Sequence, residues 1–283
     1  MARKRTSTWT GAVLGALAAL IFTIGASAQV QEEFHQTYPL TANGRVLLSN
    51  VNGDVQITAW DRNEVKVDAV KRAGTKERLD EAKIAVNAQP DSITIKTEYP
   101  RHNNTFNWGS HNNPASVDYT LTVPRGARLE RVELVNGSAK ITGVTNDVRA
   151  SSVNGHVDAS GLTGAVDLST VNGPLSASFD QLKARAVRLH SVNGSLTLTI
   201  PSNADADIEA NNVNGGISND FGLTVRKHHF VGHDLRGTLG KGGVHLALDN
   251  VNGSITIHHA NDGKPLSKAT SSAGSDDEHD SRL

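Results

Sequence analysis

Hydrophobic and polar residues alternate along most of the chain, and the alternation is organised around one tripeptide. Counting the first residue of Val-Asn-Gly as position 0, positions +4 and +6 and positions −3 and −5 are aliphatic in nearly every copy, whereas position +5 is always polar. Such a period of two is typical of strands with one buried and one solvated face, so a strand is predicted on each side of every copy. The seven copies begin at Val51, Val135, Val153, Val171, Val192, Val213 and Val251.

The tripeptide itself is predicted to be a structural turn between strands. Asn and especially Gly tolerate the left-handed backbone region, which a sharp bend can require. The tripeptide would then recur because each repeat contains the same bend. The predicted turn residues are Asn52, Gly53, Asn136, Gly137, Asn154, Gly155, Asn172, Gly173, Asn193, Gly194, Asn214, Gly215, Asn252 and Gly253.

Two architectures accommodate such turns. Asn-Gly is a strong hairpin signal, and a hairpin would pair position −3 with position +6 on one face. It would also bury position −1, which is mostly polar. A solenoid corner therefore fits better, with the Val pointing inward, position −1 facing out and each Asn able to bond to its equivalent one rung away. The predicted fold is an all-β, single-domain β-solenoid, with an antiparallel meander as the alternative.

The spacing of the copies supports a repeat of about one coil. Five consecutive copies follow each other at intervals of 18, 18, 21 and 21 residues. The last interval is 38 residues, about twice the repeat, which suggests one degenerate copy. The segment "GTLGKGG" at residues 237–243 is a candidate for the altered turn.

Residues 64–118 depart from the repeat and are predicted to be an insertion or a small α/β cap at the N-terminal end of the stack. "TKERLDEAK" at residues 75–83 reads as a short helix, and "KIAVNA" and "SITIKTEY" read as strands. Residues 101–115 form a polar, Asn-rich stretch that is predicted to be an exposed loop. A cap is expected because open strand edges recruit other chains.

The two ends of the chain are predicted to lie outside the repeat domain, which would span residues 29–260. Residues 1–28 have the basic start, apolar middle and small-residue cleavage site of a secretory signal peptide. The alternative is an uncleaved anchor, although the apolar run is shorter than the roughly 20 residues a membrane span needs. Residues 261–283 are polar and predicted to be a disordered tail. The protein is thus expected to be exported, to the periplasm or the cell surface.

Composition narrows the function classes. Without its first 28 residues the chain has 25 basic and 29 acidic residues, a net charge of −4, which does not suggest a nucleic-acid partner. The absence of cysteine excludes disulfides and lipid attachment through cysteine. Aromatic residues are only 4% of the chain, which favours a thin aliphatic core.

The repeated "VNG" turns, "VDYTLTVPRGARLERVELVNGSAKITG" and "LRGTLGKGGVHLALDNVNGSITI" resemble the bacterial DUF4097 family, whose members are labelled candidate adhesins. The resemblance covers roughly residues 33–259. It implies an exported, repetitive β-strand protein of the cell envelope, and it brings no catalytic residues.

The sequence gives little indication of a catalytic site or a metal site. Asp158 and Asp167 on neighbouring strands, and Asp205 and Asp207 around a turn, are the carboxylates to consider for glycoside cleavage, but acids do not stack in adjacent repeats. Adjacent histidines on a strand point to opposite faces and chelate poorly. No catalytic residue, metal ligand or cofactor is predicted.

A binding role is the main functional prediction. The aromatic residues Phe106 and Trp108 of the Asn-rich loop are possible ligand contacts, unless they cover the end of the solenoid. Outward polar ladders are the other candidate surface, formed by Lys140, Asp158, Ser176 and Thr197. The expected partner is an envelope or extracellular polymer or protein. The alternatives are a polysaccharide-acting enzyme on the same scaffold and an envelope-stress signalling partner.

Overall fold

The computed structural model describes residues 29–100, 115–228 and 232–271. These residues form a β-solenoid, which confirms the predicted all-β fold. The N-terminal part contains the helix α1 (Lys76–Glu81) and the strands β1 (Val30–Pro39), β2 (Arg45–Asn52), β3 (Val55–Trp60), β4 (Glu64–Ala73), β5 (Lys83–Gln89) and β6 (Ser92–Glu98).

The central part of the chain consists of short strands that alternate between two sheets. They are β7 (Ser116–Pro124), β8 (Arg128–Asn136), β9 (Ala139–Thr142), β10 (Val148–Asn154), β11 (Val157–Leu162), β12 (Val166–Asn172), β13 (Leu175–Phe179), β14 (Ala186–Asn193) and β15 (Leu196–Ile200). The C-terminal part adds β16 (Ala206–Asn214), β17 (Ile217–Asn219), β18 (Val225–Lys227), β19 (His233–Leu239), β20 (Val244–Asn252), β21 (Ile255–His259) and β22 (Ala269–Ser271).

Each rung of the solenoid contributes one strand to each of two sheets. Sheet A has the order β1-β4-β7-β3-β9-β11-β13-β15-β21-β17, and sheet B has the order β18-β19-β16-β20-β14-β12-β10-β8-β2-β6-β5, with β22 also paired to β19. Strands of successive rungs are parallel, and the Asn of each turn lies directly opposite the Asn of the next, as in Asn154 opposite Asn172. The Val-Asn-Gly turns therefore align in one corner of the column, where the chain passes from sheet B to sheet A.

The core between the sheets is aliphatic, as the sparse aromatic composition predicts. Positions −3, −5, +4 and +6 supply buried Val, Leu, Ile and Ala side chains along the whole column. Apart from a bulge at Glu130 and Arg131 in β8, the alternation of inward and outward residues continues up to the turn. This continuity decides the orientation of the turn residues.

The predicted orientation of the turn was wrong. Position −1 is buried, with 0–3% of each residue exposed, and the Val at position 0 points outward. The reason is the strand period: because −5 and −3 face the core, −1 must face it as well. Position −1 is therefore polar because it makes buried hydrogen bonds. The predicted solenoid is correct, but the argument that position −1 faces solvent was wrong.

The spatial order of the rungs differs from the chain order at both ends. The pair β2/β3 lies between β6/β7 and β8/β9, so β6/β7 forms an additional rung without a Val-Asn-Gly turn. At the other end, β20/β21 lies between β14/β15 and β16/β17. The 38-residue interval is thus not a degenerate coil: it holds β19, which runs antiparallel beside β16, and β18, which pairs antiparallel with β19, before the chain returns into the stack.

Antiparallel strands cover the N-terminal end. Sheet A is extended by β4 and β1, and sheet B by β5, all from residues 30–89. The short helix α1 begins after Thr75, whose side chain accepts a hydrogen bond from the backbone N–H of Arg78, and it buries Leu79. The strands β1, β4 and β5 and the helix α1 thus lie beyond the β6/β7 rung, at the N-terminal end of the column.

A buried polar network joins the β6/β7 rung to the β2/β3 rung. The Tyr119 hydroxyl lies 2.8 Å from Thr97 Oγ1, which donates to Asn50 Oδ1 over 2.8 Å. Burial raises the pKa of Tyr119 to about 12, so the phenol stays protonated at neutral pH.

Part of the segment predicted to be a disordered tail is ordered. Residues 269–271 form β22 and pair with β19, and Ser267 Oγ donates to the carbonyl of Ala204 over 2.6 Å. Residues 1–28, with the predicted signal peptide, and residues 272–283 lie outside the described residues. Within the described ranges, no helix has the length and apolar character needed to cross a membrane.

Candidate binding surface

A continuous ladder of asparagine side chains runs along the Val-Asn-Gly corner. Each Asn donates from Nδ2 to the Oδ1 of its neighbour, always in the same direction along the column, over 2.8–3.0 Å. Such amide ladders stabilise stacked in-register strands. In spatial order the ladder contains Asn52, Asn136, Asn154, Asn172, Asn193, Asn252 and Asn214.

The asparagines are therefore selected for the ladder and not for a left-handed backbone. The only described residue other than Gly with a positive φ is Asn261, which lies outside the turns. This corrects the expectation that Asn provides left-handed geometry at the bend. The recurring amide instead reflects rung-to-rung hydrogen bonding.

Glycine is required in the turn because successive rungs approach closely. A Cβ added at Gly155 would lie 2.1 Å from the carbonyl oxygen of Gly137, and a Cβ at Gly194 would lie 2.1 Å from that of Gly173. No side chain fits at such distances. Positive φ values at Gly53 and Gly253 add a second reason at those positions.

The buried side chains at position −1 satisfy the backbone of the neighbouring turn. Ser152 Oγ donates to the carbonyl of Gly137 over 2.7 Å, and Thr170 Oγ1 donates to that of Gly155 over 3.0 Å. Buried carbonyls need such partners, so polar residues are favoured inside this corner. Asn212 and Asn250 make equivalent bonds to the carbonyls of Gly253 and Gly194. Asn50 donates to the carbonyl of Val117 in the neighbouring strand and to that of Gly53 in its own turn.

The valines of the tripeptide form an exposed apolar row beside the Asn ladder. Five of the six exposed large hydrophobic residues among the described residues belong to it, with 37–46% of each residue accessible, and the sixth is Leu266. Val192 and Val251 occupy the same row and are half-buried. Seven rungs at about 4.8 Å give a row roughly 29 Å long. The exposed members are Val51, Val135, Val153, Val171 and Val213.

Two rows of polar side chains on the outer face of sheet A lie next to this corner. The predicted contacts Lys140, Asp158, Ser176 and Thr197 lie opposite one another in successive strands and form one row. A second row includes Thr58, Thr142 and Ser160, also in register. Ser176 Oγ donates to Asp158 Oδ1 over 2.6 Å. We call the Val row, the Asn ladder and these two rows the ladder surface.

The Asn-rich loop starts and ends beside the first rung of this surface. The Tyr99 hydroxyl donates to the carbonyl of Ala115 over 2.8 Å and is also hydrogen-bonded to the Asn52 side chain. Burial raises the pKa of Tyr99, and the bond from Asn52 partly opposes this shift. Phe106 and Trp108 themselves lie outside the described residues, so their role as ligand contacts stays a prediction.

Of the four carboxylates considered for catalysis, two lie on different sheets and two accept hydrogen bonds from the backbone. Asp158 is on sheet A and Asp167 is on sheet B, so their side chains lie on different faces of the column. Asp205 and Asp207 accept hydrogen bonds from the backbone N–H groups of Lys241 and Gly243, over 2.8 and 2.9 Å. The bond from Gly243, followed by that from Thr238, lowers the pKa of Asp207.

Several histidines lie beside carboxylates. His258 Nδ1 is 2.9 Å from Asp220 Oδ2, and this hydrogen bond is the main reason why the pKa of Asp220 is lowered. His35 lies between Asp68 and Glu33, and its hydrogen bonds to Asp68 and then Glu33 raise its pKa above 6.5. Across residues 29–100, 115–228 and 232–271, no three metal-ligating side chains converge.

The family comparison agrees with this architecture. Residues 142–258 match the Toastrack DUF4097 family. The match confirms the resemblance to DUF4097 that the sequence motifs indicate. The Toastrack segment extends from the end of β9 to β21, and it contains five of the seven Val-Asn-Gly turns.

Solved structures of low sequence identity align with most of the chain. A "putative cell adhesion protein" from Clostridium sporogenes is 10% identical, with 80% of this chain and 99% of that chain covered and a TM-score of 0.47. A "putative adhesin" from Bacteroides fragilis is 14% identical, with 80% and 96% covered and a TM-score of 0.31. A "putative lipid binding protein" from Parabacteroides distasonis is 9% identical, with 81% and 97% covered and a TM-score of 0.29. No curated protein matches the chain.

Proposed function

We propose that the protein is an exported, non-enzymatic module of the cell envelope that binds an extended polymer along the ladder surface. The observation that carries this proposal is the exposed Val row. The Asn and Gly of each turn are needed for contact between rungs, whereas the Val side chain points outward and is exposed in five of the seven turns. A repeated exposed apolar residue is typical of a contact surface.

The shape of the surface favours an extended ligand over a compact one. The same apolar, amide and hydroxyl groups recur at the strand spacing over seven rungs, so a linear chain can make equivalent contacts at each rung. Several weak contacts of this kind add up along a polymer. A polysaccharide or an extended peptide of the envelope has the required linear form.

Export is part of the same proposal and rests on the N-terminal sequence. Residues 1–28 combine a basic start, an apolar segment and the small-residue site Ala26-Ser27-Ala28. Fractionation of cells that produce the full chain, with mass determination of the product, tests this step. We expect a product that begins at Gln29 outside the cytoplasm, whereas a full-length cytoplasmic product would contradict export.

Binding is tested with residues 29–283 on an array of glycans and envelope components. The test variant replaces Val135, Val153 and Val171 by Ser, which removes apolar surface without touching the core. Leu266→Ser is the matched control because it removes an equally exposed apolar side chain outside the row. We expect the triple variant to lose binding and the control to retain it.

The loop is tested separately with Trp108→Ala. Loss of binding in this variant would extend the binding surface to the Asn-rich loop, and unchanged binding would restrict it to the described ladder. If no glycan, envelope protein or lipid binds the protein, or if the triple Val variant binds as well as the unaltered protein, the proposed function is wrong.

A further inference from the structure

A groove of about 310 Å³ lies on sheet B, away from the Val-Asn-Gly corner. It crosses the first residues of four neighbouring strands, β8, β10, β12 and β14, where the chain enters sheet B from the opposite corner. At about 4.8 Å per strand its width is roughly 14 Å. We call it the arginine groove after Arg128, Arg149, Arg185 and Arg188, which all line it.

Two of these arginines are neutralised by neighbouring carboxylates. Arg128 Nε is 3.5 Å from Asp147 Oδ2, and Arg149 Nε is 3.3 Å from Asp167 Oδ2. The third acid of the groove, Glu130, lies 3.8 Å from Arg45, which is not one of the lining residues. Arg45 is also 3.5 Å from Asp91 and is shared between the two acids. The four arginines and three carboxylates that line the groove therefore leave a net charge of +1.

The other two arginines have no carboxylate partner. Neither Arg185 nor Arg188 forms an ion pair with any residue that the structure describes, and both are exposed. Arg188 lies across from Asp167 in the sheet register. Asp167 Oδ2, however, accepts a hydrogen bond from Arg149 Nε over 3.3 Å. The groove consequently holds two arginines without an ion pair and a net charge of +1, in a chain whose overall charge is slightly negative.

The floor of the groove is apolar. Ala165, Val166 and Ala186 line it between the charged side chains. Such a floor can contact the carbon skeleton of a ligand while the arginines hold its charged group. Guanidinium groups form paired hydrogen bonds with phosphate oxygens, which makes arginine the preferred residue for this recognition.

From these observations we infer that the arginine groove binds a phosphate monoester carried on a sugar or lipid headgroup. Such a group has a charge of about −1.5 to −2 at pH 7, which matches the two unpaired arginines. It also presents three acceptor oxygens that two guanidinium groups can share, whereas a carboxylate has only two. This site is independent of the ladder surface, because it lies on the other sheet and at the opposite corner.

Calorimetric titration of residues 29–283 at low salt tests the inference. The probes are a hexose monophosphate, glucuronate as the carboxylate comparator, and phosphatidylcholine vesicles with and without phosphatidic acid. We expect the phosphorylated probes to bind more tightly than glucuronate. Binding of the hexose monophosphate would identify a sugar phosphate as the source, whereas binding of phosphatidic acid vesicles alone would identify a lipid headgroup.

Substitutions locate the binding. The double variant Arg185→Gln/Arg188→Gln is expected to bind the preferred probe about tenfold more weakly or worse, because both charge-assisted contacts are lost. Arg131→Gln is the matched control, since Arg131 is also exposed on sheet B but lies outside the groove. Circular dichroism checks that both variants are folded.

Three results would overturn the inference. They are the failure of every phosphorylated probe to bind, binding of glucuronate as tight as that of the phosphorylated probes, and a double variant that binds like the unaltered protein. The first result leaves the ladder surface untouched, because the Val variants are tested with different ligands and different residues.

Discussion

The middle of the solenoid and its C-terminal end use the same turn with different chain connections. From β8 to β15 each rung follows the previous one in sequence and in space. Beyond β15 the order reverses, and the last Val-Asn-Gly turn in the chain, which begins at Val251, lies between the two that precede it. The ladder contacts are nevertheless the same, for example Asn252 to Asn193 over 2.8 Å and Asn172 to Asn154 over 2.9 Å.

This comparison shows that the tripeptide encodes contact between rungs and not the path of the chain. Two rungs stack through the Asn amide of the turn, the close approach of the turn glycines and a buried side chain that bonds to the turn carbonyl. Any two rungs with these three features can therefore be neighbours. The path is decided by the segments between rungs. At the C-terminal end these are β18 and β19, which lead the chain past β16 before it returns.

The largest expected effect is at the turn glycines. Gly155→Ala places a Cβ 2.1 Å from the carbonyl oxygen of Gly137, so two rungs must separate, and we expect a loss of about 3 kcal/mol in the free energy of unfolding. Gly215→Ala should be at least as severe at the C-terminal end, because its Cβ would lie 1.7 Å from the oxygen of Gly253. Urea unfolding measures both.

Gly216→Ala is the control for both substitutions. It adjoins Gly215, but no atom lies within 4 Å of an added Cβ, and we expect a change of about 0.5 kcal/mol or less. Equal effects at residues 215 and 216 would show that rung contact is not the reason for the turn glycine.

A second prediction compares how a core substitution in each region affects the neighbouring rung. Leu168→Ala and Leu248→Ala remove equivalent side chains at position −3, both fully buried, and each should cost about 3 kcal/mol. Only Leu248→Ala should also expose β16 and β17, because their rung stacks directly on β20/β21. Amide hydrogen exchange resolved by strand is the measurement. Unchanged protection of β16 in Leu248→Ala would mean that β19 alone holds it.

The smallest expected effect concerns the buried polar position −1. Ser152→Ala leaves the carbonyl of Gly137 without its side-chain donor, and Asn250→Ala does the same to Gly194, so each should cost about 1–2 kcal/mol. Ser191→Ala is the matched control, since its buried hydroxyl has no hydrogen-bond partner in the part of the chain that the structure describes. Thermal or urea unfolding compares the three. A cost for Ser191→Ala equal to that of Ser152→Ala would show that packing, and not the bond to the turn, matters here.

The sequence predicted the strands and the location of the turns well, because both follow from local patterns. The alternation around each tripeptide correctly placed the aliphatic residues of positions −3, −5, +4 and +6 in the core, although the Val at position 0 was wrongly expected to point inward. The region around Thr75 correctly indicated a short helix. The reading of position −1 failed because its polarity was taken as exposure. Continuing the strand period by two residues from position −3 would have placed it inside.

The candidate surfaces were only partly visible in the sequence. The row of Lys140, Asp158, Ser176 and Thr197 follows directly from the repeat. The exposed Val row was missed because a valine next to a turn resembles a core residue. The arginine groove was not predicted, although Arg128 and Arg185 stand seven residues, and Arg149 and Arg188 four residues, before the Val of the following turn. The sequence does not show which of these arginines lack an ion-pair partner.

The sequence by itself determined the unit of this protein: an aliphatic strand pair closed by an Asn-Gly turn, repeated seven times. It could do so because strand period and turn chemistry act over a few residues. Only the tertiary structure decided which rung lies beside which, what covers the ends, and which charges remain unpaired. Those features depend on contacts between residues far apart in the chain, such as Asn252 with Asn193, and no local pattern specifies such contacts.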